Sequence, residues 1–177
     1  TSSQRVDGKP HDGAHTAMLR DLDASIEAAR FQSPEHGALE LPVKLRVYDS
    51  VFVPLAKWAM LMAGNYRCVQ AEEMRPIKEA VHGDLDASQA VYDWVVGVCI
   101  DLGGDISDFV PFEKYAKAAS SLANPSSAAR ALAGGAKNIE RVDKLVSLVA
   151  AQQGKRLEVV DETVAVVEKW LTQNRSA

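Results

Sequence analysis

The sequence is poor in several features that mark particular protein classes. Its 177 residues include two cysteines, Cys68 and Cys99, too few for the disulfide framework of a small secreted domain. Lysine and arginine total 20 against 24 aspartate and glutamate, a net charge of −4. The extended basic surface of a nucleic-acid-binding protein is therefore not expected. No apolar run approaches the roughly 18–20 residues of a membrane span, and no basic-then-apolar leader is present, so we expect a cytoplasmic protein that binds neither nucleic acid nor membrane.

Short motifs for nucleotide binding and hydrolysis are also missing. The chain contains no G-x-G-x-x-G and no G-x-x-x-x-G-K-[ST], the glycine loops whose backbone N–H groups reach a pyrophosphate. It contains no G-x-S-x-G and no C-x-x-C, which excludes a nucleophile elbow and a zinc ribbon. No Rossmann domain is expected in this chain. Its length leaves little room for a nucleotide-binding domain in addition to a substrate domain.

The patterns that are present predict an all-α protein with six to eight helices. The chain is 47% hydrophobic and 25% charged, as in an ordinary globular domain. Residues 1–15 are polar and glycine-containing, and predict a flexible lead-in or linker. Apolar residues then recur at three- and four-residue steps, so residues 16–177 are predicted to form one helical domain. We expect its first helix over about 16–31, a loop over 33–42, and no alternating strands.

The most apolar segment, Tyr48 to Ala63, carries one lysine. We expect a helix that is kinked or begun at Pro54 and ends near Gly64. Lys57 and Asn65 are eight residues apart, about two helical turns, and therefore lie on one side of the helix. A desolvated lysine beside an amide suits an oxygen-rich small molecule. The alternative is a lysine that extends into solvent from the edge of the core, with Asn65 ending the helix.

Two further segments carry polar groups at predicted helix starts. Ser126 and Ser127 follow a proline, where hydroxyls either cap a helix or help to bind a small anion. Glu140 and Asp143 begin a later helix, where carboxylates cap it, bind a hydroxyl or act as an acid. The alternative for both carboxylates is a solvated charged face.

One pair of residues has the spacing of a metal site. Glu79 and His82 form an E-x-x-H, which places both side chains on one helix face. A di-iron bundle needs two such pairs, and the sequence contains one, followed directly by Gly83. The alternative is a surface helix end with His82 favourably placed on the helix dipole, and we expect no metal.

The order of these features resembles the C-terminal helical domain of the ketopantoate reductases (2-dehydropantoate 2-reductases). The resemblance covers about residues 49–171, roughly two thirds of the chain. A lysine on an apolar helix with asparagine eight residues later comes first, followed by a helix that ends in Leu-Gly. A Pro-Ser-Ser start, a glycine break and a Glu-x-x-Asp helix come next. The positions that carry the match are Lys57, Asn65, Leu102-Gly103, Pro125-Ser126-Ser127, Glu140, Asp143, Gln153-Gly154-Lys155-Arg156-Leu157-Glu158 and Glu168.

The resemblance implies a fold, an activity and roles for individual residues. The fold would be that of the 6-phosphogluconate dehydrogenase C-terminal type. The family reduces a 2-oxo acid with NADPH in pantothenate biosynthesis, usually as a homodimer. Lys57 resembles its catalytic lysine, which binds and protonates the keto oxygen. Asn65, Ser127 with its neighbour Ser126, and Glu140 match substrate-binding positions.

This sequence departs from the family pattern at three points. Leu61 stands where a second asparagine is expected, and the spacing from Ser127 to Glu140 is one residue long. If Asp143 is the anchor, Arg141 takes the acidic position instead of Glu140. The amino-terminal Rossmann domain is not in this chain, so NADPH is not expected to bind here and the chain alone is expected to be inactive. The alternative is a stand-alone helical dimerisation module without catalysis.

Overall fold

The structure is a computed structural model that describes residues 13–40, 43, 45, 47 and 52–176. Of these residues, 66% lie in helices and 6% in β-strands. The prediction of a mostly helical protein is therefore confirmed, and the structure also contains a small two-stranded sheet. Most of the predicted lead-in, residues 1–12, lies outside the described residues. The chain divides into two compact units, Thr1–Pro54 and Leu55–Ala177. No helix in the described part is long and apolar enough to cross a membrane.

The first unit contains a helix and a β-hairpin. Helix α1 spans Gly13–Ala28, and strands β1 (Arg30–Ser33) and β2 (Gly37–Glu40) pair antiparallel. The prediction of a loop over 33–42 without strands was therefore wrong. The Ser33 hydroxyl accepts hydrogen bonds from the backbone N–H groups of the turn, and Gly37 adopts a φ of +71° that other residues rarely reach. Four-residue strands are too short to show a clear alternation in sequence.

Helices of four to nineteen residues make up the second unit. From residue 57 onward, the chain runs from a helix through a π turn into a 3₁₀ turn. The bounds are α2 Phe52–Leu55, α3 Lys57–Met60, the π turn Leu61–Asn65, the first 3₁₀ turn Tyr66–Cys68, α4 Ile77–His82, α5 Leu85–Asp101, a second 3₁₀ turn Ile106–Asp108, α6 Phe112–Ala119, α7 Ser127–Ala133, α8 Val142–Gln152 and α9 Glu158–Ser176.

Capping residues set several of these helix ends. Asp84 accepts a hydrogen bond from the N–H of Ala87 and starts α5. Gly103 and Gly154, with φ of +105° and +70°, follow α5 and α8. The core of this unit lies around α5, where Tyr92 packs against Phe112 and Tyr115 with ring centroids 5.4 and 5.6 Å apart.

The helix that was predicted to end near Gly64 instead widens and continues. The N–H of Tyr66 donates to the carbonyl of Leu61, five residues back, which defines a π turn. Gly64 does not have the positive φ of a helix-ending glycine. Its role is to leave space: a Cβ at this position would overlap the Tyr115 hydroxyl, which donates to the carbonyl of Met60 at 3.0 Å.

We therefore expect Gly64→Ala to lower the free energy of unfolding by roughly 2–4 kcal/mol, because the methyl group displaces the Tyr115 hydroxyl and overpacks the core. Urea unfolding followed by circular dichroism measures this. Gly97→Ala is the matched control, since a Cβ there meets only Lys155 Nζ at 3.7 Å and alanine is the better helix former. Equal effects of the two substitutions would contradict the role given to Tyr115.

Candidate functional site

One pocket of about 360 Å³ brings together three of the sequence-predicted residues. Asn65 comes from the π turn, Ser127 from the first position of α7, and Glu140 from the segment before α8. They are separated by up to 75 positions in the chain, so only the fold places them together. The remaining lining residues are Leu61, Tyr66, Ala128, Ala131, Asn138 and Ile139.

The π turn decides which way Asn65 faces relative to Lys57. In a continuous α-helix, eight residues at about 100° each overshoot two full turns by about 80°. The wider π turn rotates each residue by less, which returns Asn65 toward the line through Lys57 and Leu61. Lys57 is exposed and lies one turn before Leu61, outside the lining of the pocket. The lysine is therefore solvated and does not join Asn65 in the lining of the pocket.

The two neighbouring serines have different surroundings. Ser126 is 2% exposed, and its hydroxyl donates to the carbonyl of Asn65 at 2.7 Å and accepts from the N–H of Ala129 at 3.2 Å. It therefore caps α7 and ties that helix to the π turn. Ser127 is exposed, and its hydroxyl accepts a hydrogen bond from Arg130 at 3.4 Å. Of the pair, Ser127 has its hydroxyl hydrogen available to a ligand.

Glu140, and not Arg141, lines the pocket. The guanidinium of Arg141 instead makes two hydrogen bonds of 2.9 Å to the buried Asp143 and one of 2.6 Å to Glu168. The hydrogen bond from Arg141 lowers the pKa of the Glu168 carboxyl. Because these carboxylates neutralise Arg141, the acidic group that the pocket presents is Glu140.

Tyr66 is a site residue that the sequence analysis missed. Its side chain is 3% exposed, and its hydroxyl donates to the carbonyl of Glu140 at 2.5 Å and accepts from the N–H of Val142 at 3.0 Å. It follows Asn65 directly, so one residue joins the π turn to the segment that carries Glu140. The sequence does contain a signal for this role, a tyrosine at the end of an apolar segment. A buried tyrosine hydroxyl needs a hydrogen-bond partner, so Tyr66 could have been expected to contact another segment.

A second pocket of about 350 Å³ adjoins the first and shares Asn65 and Ser127 with it. The loop between α6 and α7 forms much of this second pocket, and Arg130 also lines it. The two pockets therefore meet at Asn65 and Ser127. A separate pocket of about 380 Å³ near Trp94 contains none of the predicted residues, and its Lys155 and Arg156 pair with Asp101 and Asp161.

Glu79 and His82 have the spacing of a metal pair, and the structure gives His82 a backbone partner. His82 ends α4, and its Nε2 lies 2.9 Å from the carbonyl of Ala116. Within the described residues, no group of three or more His, Cys, Asp and Glu side chains could hold a metal ion.

The described residues do not fit a dinucleotide. The two named strands in this part of the chain form an antiparallel hairpin, whereas a pyrophosphate cradle needs a glycine-rich turn between a parallel strand and a helix. Among the described residues a pyrophosphate therefore has no such cradle.

Comparison of the chain with family models, with curated proteins and with solved structures gives no match.

Tyr66 gives the site a testable dependence on pH. Burial raises the pKa of Tyr66 from 10.0 to about 12, so the folded protein keeps a proton that the unfolded chain loses first. The contribution of Tyr66 is complete below pH 10.0 and is lost as the pH rises to about 12. We expect the free energy of unfolding to fall over this range, and to fall less steeply in Tyr66→Phe.

Urea unfolding at a series of alkaline pH values, with tyrosinate absorbance as a second signal, measures this. Burial also raises the pKa of Tyr92 to about 12, so Tyr92→Phe is the matched control and should soften the alkaline fall similarly. At neutral pH, Tyr66→Phe alone should shift the amide resonances of residues 140–142. Unchanged resonances in that segment would contradict the role given to the Tyr66 hydroxyl.

Proposed function

We propose that this chain is the substrate-binding half of a ketopantoate-reductase-like, NADPH-dependent oxidoreductase that acts on a small 2-oxo acid. Its helical unit would have the 6-phosphogluconate dehydrogenase C-terminal type of fold. The observation that supports the proposal is the pocket shared by Asn65, Ser127 and Glu140. The resemblance assigned these residues to one substrate site from the order of motifs alone.

The chemistry of the pocket suits such a ligand. The Asn65 amide and the Lys57 ammonium are hydrogen-bond donors for an oxo oxygen, and Lys57 would supply the proton that the reduced oxygen needs. Glu140 accepts a hydrogen bond from a hydroxyl at the other end of the ligand. No side chain among the described residues is hydrogen-bonded to the Glu140 carboxylate. Its oxygens can therefore accept hydrogen bonds from a ligand.

The size of the pocket limits the ligand. A volume of about 360 Å³ lies at the lower end of small-molecule sites, which span roughly 300–1,000 Å³. Two aliphatic side chains, Leu61 and Ile139, line it beside the polar groups. A short, branched acid with few polar groups matches this combination better than a sugar phosphate.

The hydride donor belongs to a part that this chain does not supply. In the family that the chain resembles, a Rossmann domain holds NADPH, which would supply the hydride, and the residues of this chain would bind and orient the acid. A cytoplasmic homodimer is part of the same proposal. The chain alone should bind the acid without turnover.

A second candidate is a helical dimerisation module without catalysis. The outer face of α8 favours it, because Leu145 and Leu148 are 46% and 56% exposed there. Light scattering combined with ligand-observed NMR separates the two functions. A dimer that gives no signal with pantoate would favour the module.

The proposed function predicts that pantoate binds at Asn65. Ligand-observed NMR titration of the chain should show binding that Asn65→Ala weakens about tenfold, the loss expected for a hydrogen bond to a charged ligand. Gln89→Ala, an exposed amide on α5, is the matched control and should leave the affinity unchanged. Absence of binding to the unaltered chain, or equal loss in both variants, would refute the proposal.

A further inference from the structure

Arg130 is an arginine whose charge the fold leaves unneutralised. Arg141, Arg156 and Arg175 each pair with a carboxylate. Arg130 makes no ion pair with any residue in the described part of the chain. Its Nη2 donates to the Ser127 hydroxyl at 3.4 Å, which leaves most of the guanidinium free to bind an anion.

Arg130 also occupies a defined place in the site. It lines the second pocket and contacts Ser127, one of the two residues at which the pockets meet. The two pockets differ in character. Aliphatic side chains and the Glu140 carboxylate line the first, while serine and asparagine side chains accompany Arg130 in the second. A ligand that spans the junction therefore meets a cation at one end and an apolar wall at the other.

We propose that Arg130 binds the carboxylate of the 2-oxo acid, so that the aliphatic chain of the acid extends into the first pocket toward Leu61 and Ile139. This inference rests on the proposed function and adds the orientation of the substrate. A guanidinium presents paired donors that match a carboxylate. Ser127 accepts from Arg130 and can donate its own hydrogen to the same carboxylate. The oxo group then lies at the junction beside Asn65.

This orientation defines the class of acid. Among the described residues that line the first pocket, Glu140 is the one charged side chain, and it would repel a second carboxylate at the far end of the ligand. The site therefore takes a monocarboxylic 2-oxo acid with a branched aliphatic body. Lys57 is exposed and lies outside the lining, one turn before Leu61, and the proposed function assigns it to the oxo oxygen.

Isothermal titration calorimetry with 3-methyl-2-oxobutanoate and its methyl ester tests the assignment, because the ester keeps the oxo group and lacks the charge. The chain should bind the acid more tightly than the ester. Arg130→Gln should weaken binding of the acid about tenfold and change binding of the ester little. Arg130→Lys should give an intermediate loss, since it keeps the charge without the paired donors.

Two matched variants complete the experiment. Arg156→Gln removes an exposed arginine outside the two pockets and should leave both affinities unchanged. Lys57→Gln should weaken acid and ester alike, because both carry the oxo oxygen. Loss of the acid–ester difference in Lys57→Gln but not in Arg130→Gln would overturn the assignment, as would equal loss of both ligands in Arg130→Gln. Failure of the unaltered chain to bind acid or ester would instead refute the proposed function itself.

Discussion

The hydroxyl of Tyr115 fills the space that a side chain at Gly64 would need, and the course of the chain through the site depends on this contact. The hydroxyl donates to the carbonyl of Met60 at the point where the α-helix widens into the π turn. That turn packs against α4, α5, α7 and α8, so most of the second unit is arranged around it. A glycine here serves close approach rather than backbone freedom, and π turns of this kind are frequent at functional sites.

Two buried hydroxyls connect the π turn and the residue after it to the other segments that form the pocket. Ser126 bonds to the carbonyl of Asn65, and Tyr66 bonds to the backbone on both sides of Arg141. Each joins the π turn to a segment at least 60 positions away. Because the bonds engage backbone groups, they fix where the chain lies while leaving the Asn65 amide and the Glu140 carboxylate available. Positioning and ligand contact are thus divided between different residues, as a precise site requires.

The features that could be predicted from the sequence are those that depend on neighbouring residues. The helix that Ser126 caps and the helix that ends in Leu102-Gly103 follow from local capping, and both are present in the structure. The π turn was missed because its cause is Tyr115, about 50 positions away, and Tyr66 was missed because its partners lie in another segment. The joint placement of Asn65, Ser127 and Glu140 was expected only through the family resemblance; spacing alone left each with a plain structural alternative.

Charge pairing explains how an acidic chain can present a site for an anion. With a net charge of −4, long-range attraction does not favour an anionic ligand, so recognition depends on individual cations. The fold pairs Arg141 with Asp143 and Glu168, which removes that cation from the pocket although it adjoins Glu140. Arg130 keeps its charge at the junction of the two pockets. If these two cations only compensated the overall charge, replacing either arginine by glutamine would have the same effect. The structure instead predicts that the position of each arginine determines its role. Arg141 stabilises the buried Asp143, whereas Arg130 is available to a ligand.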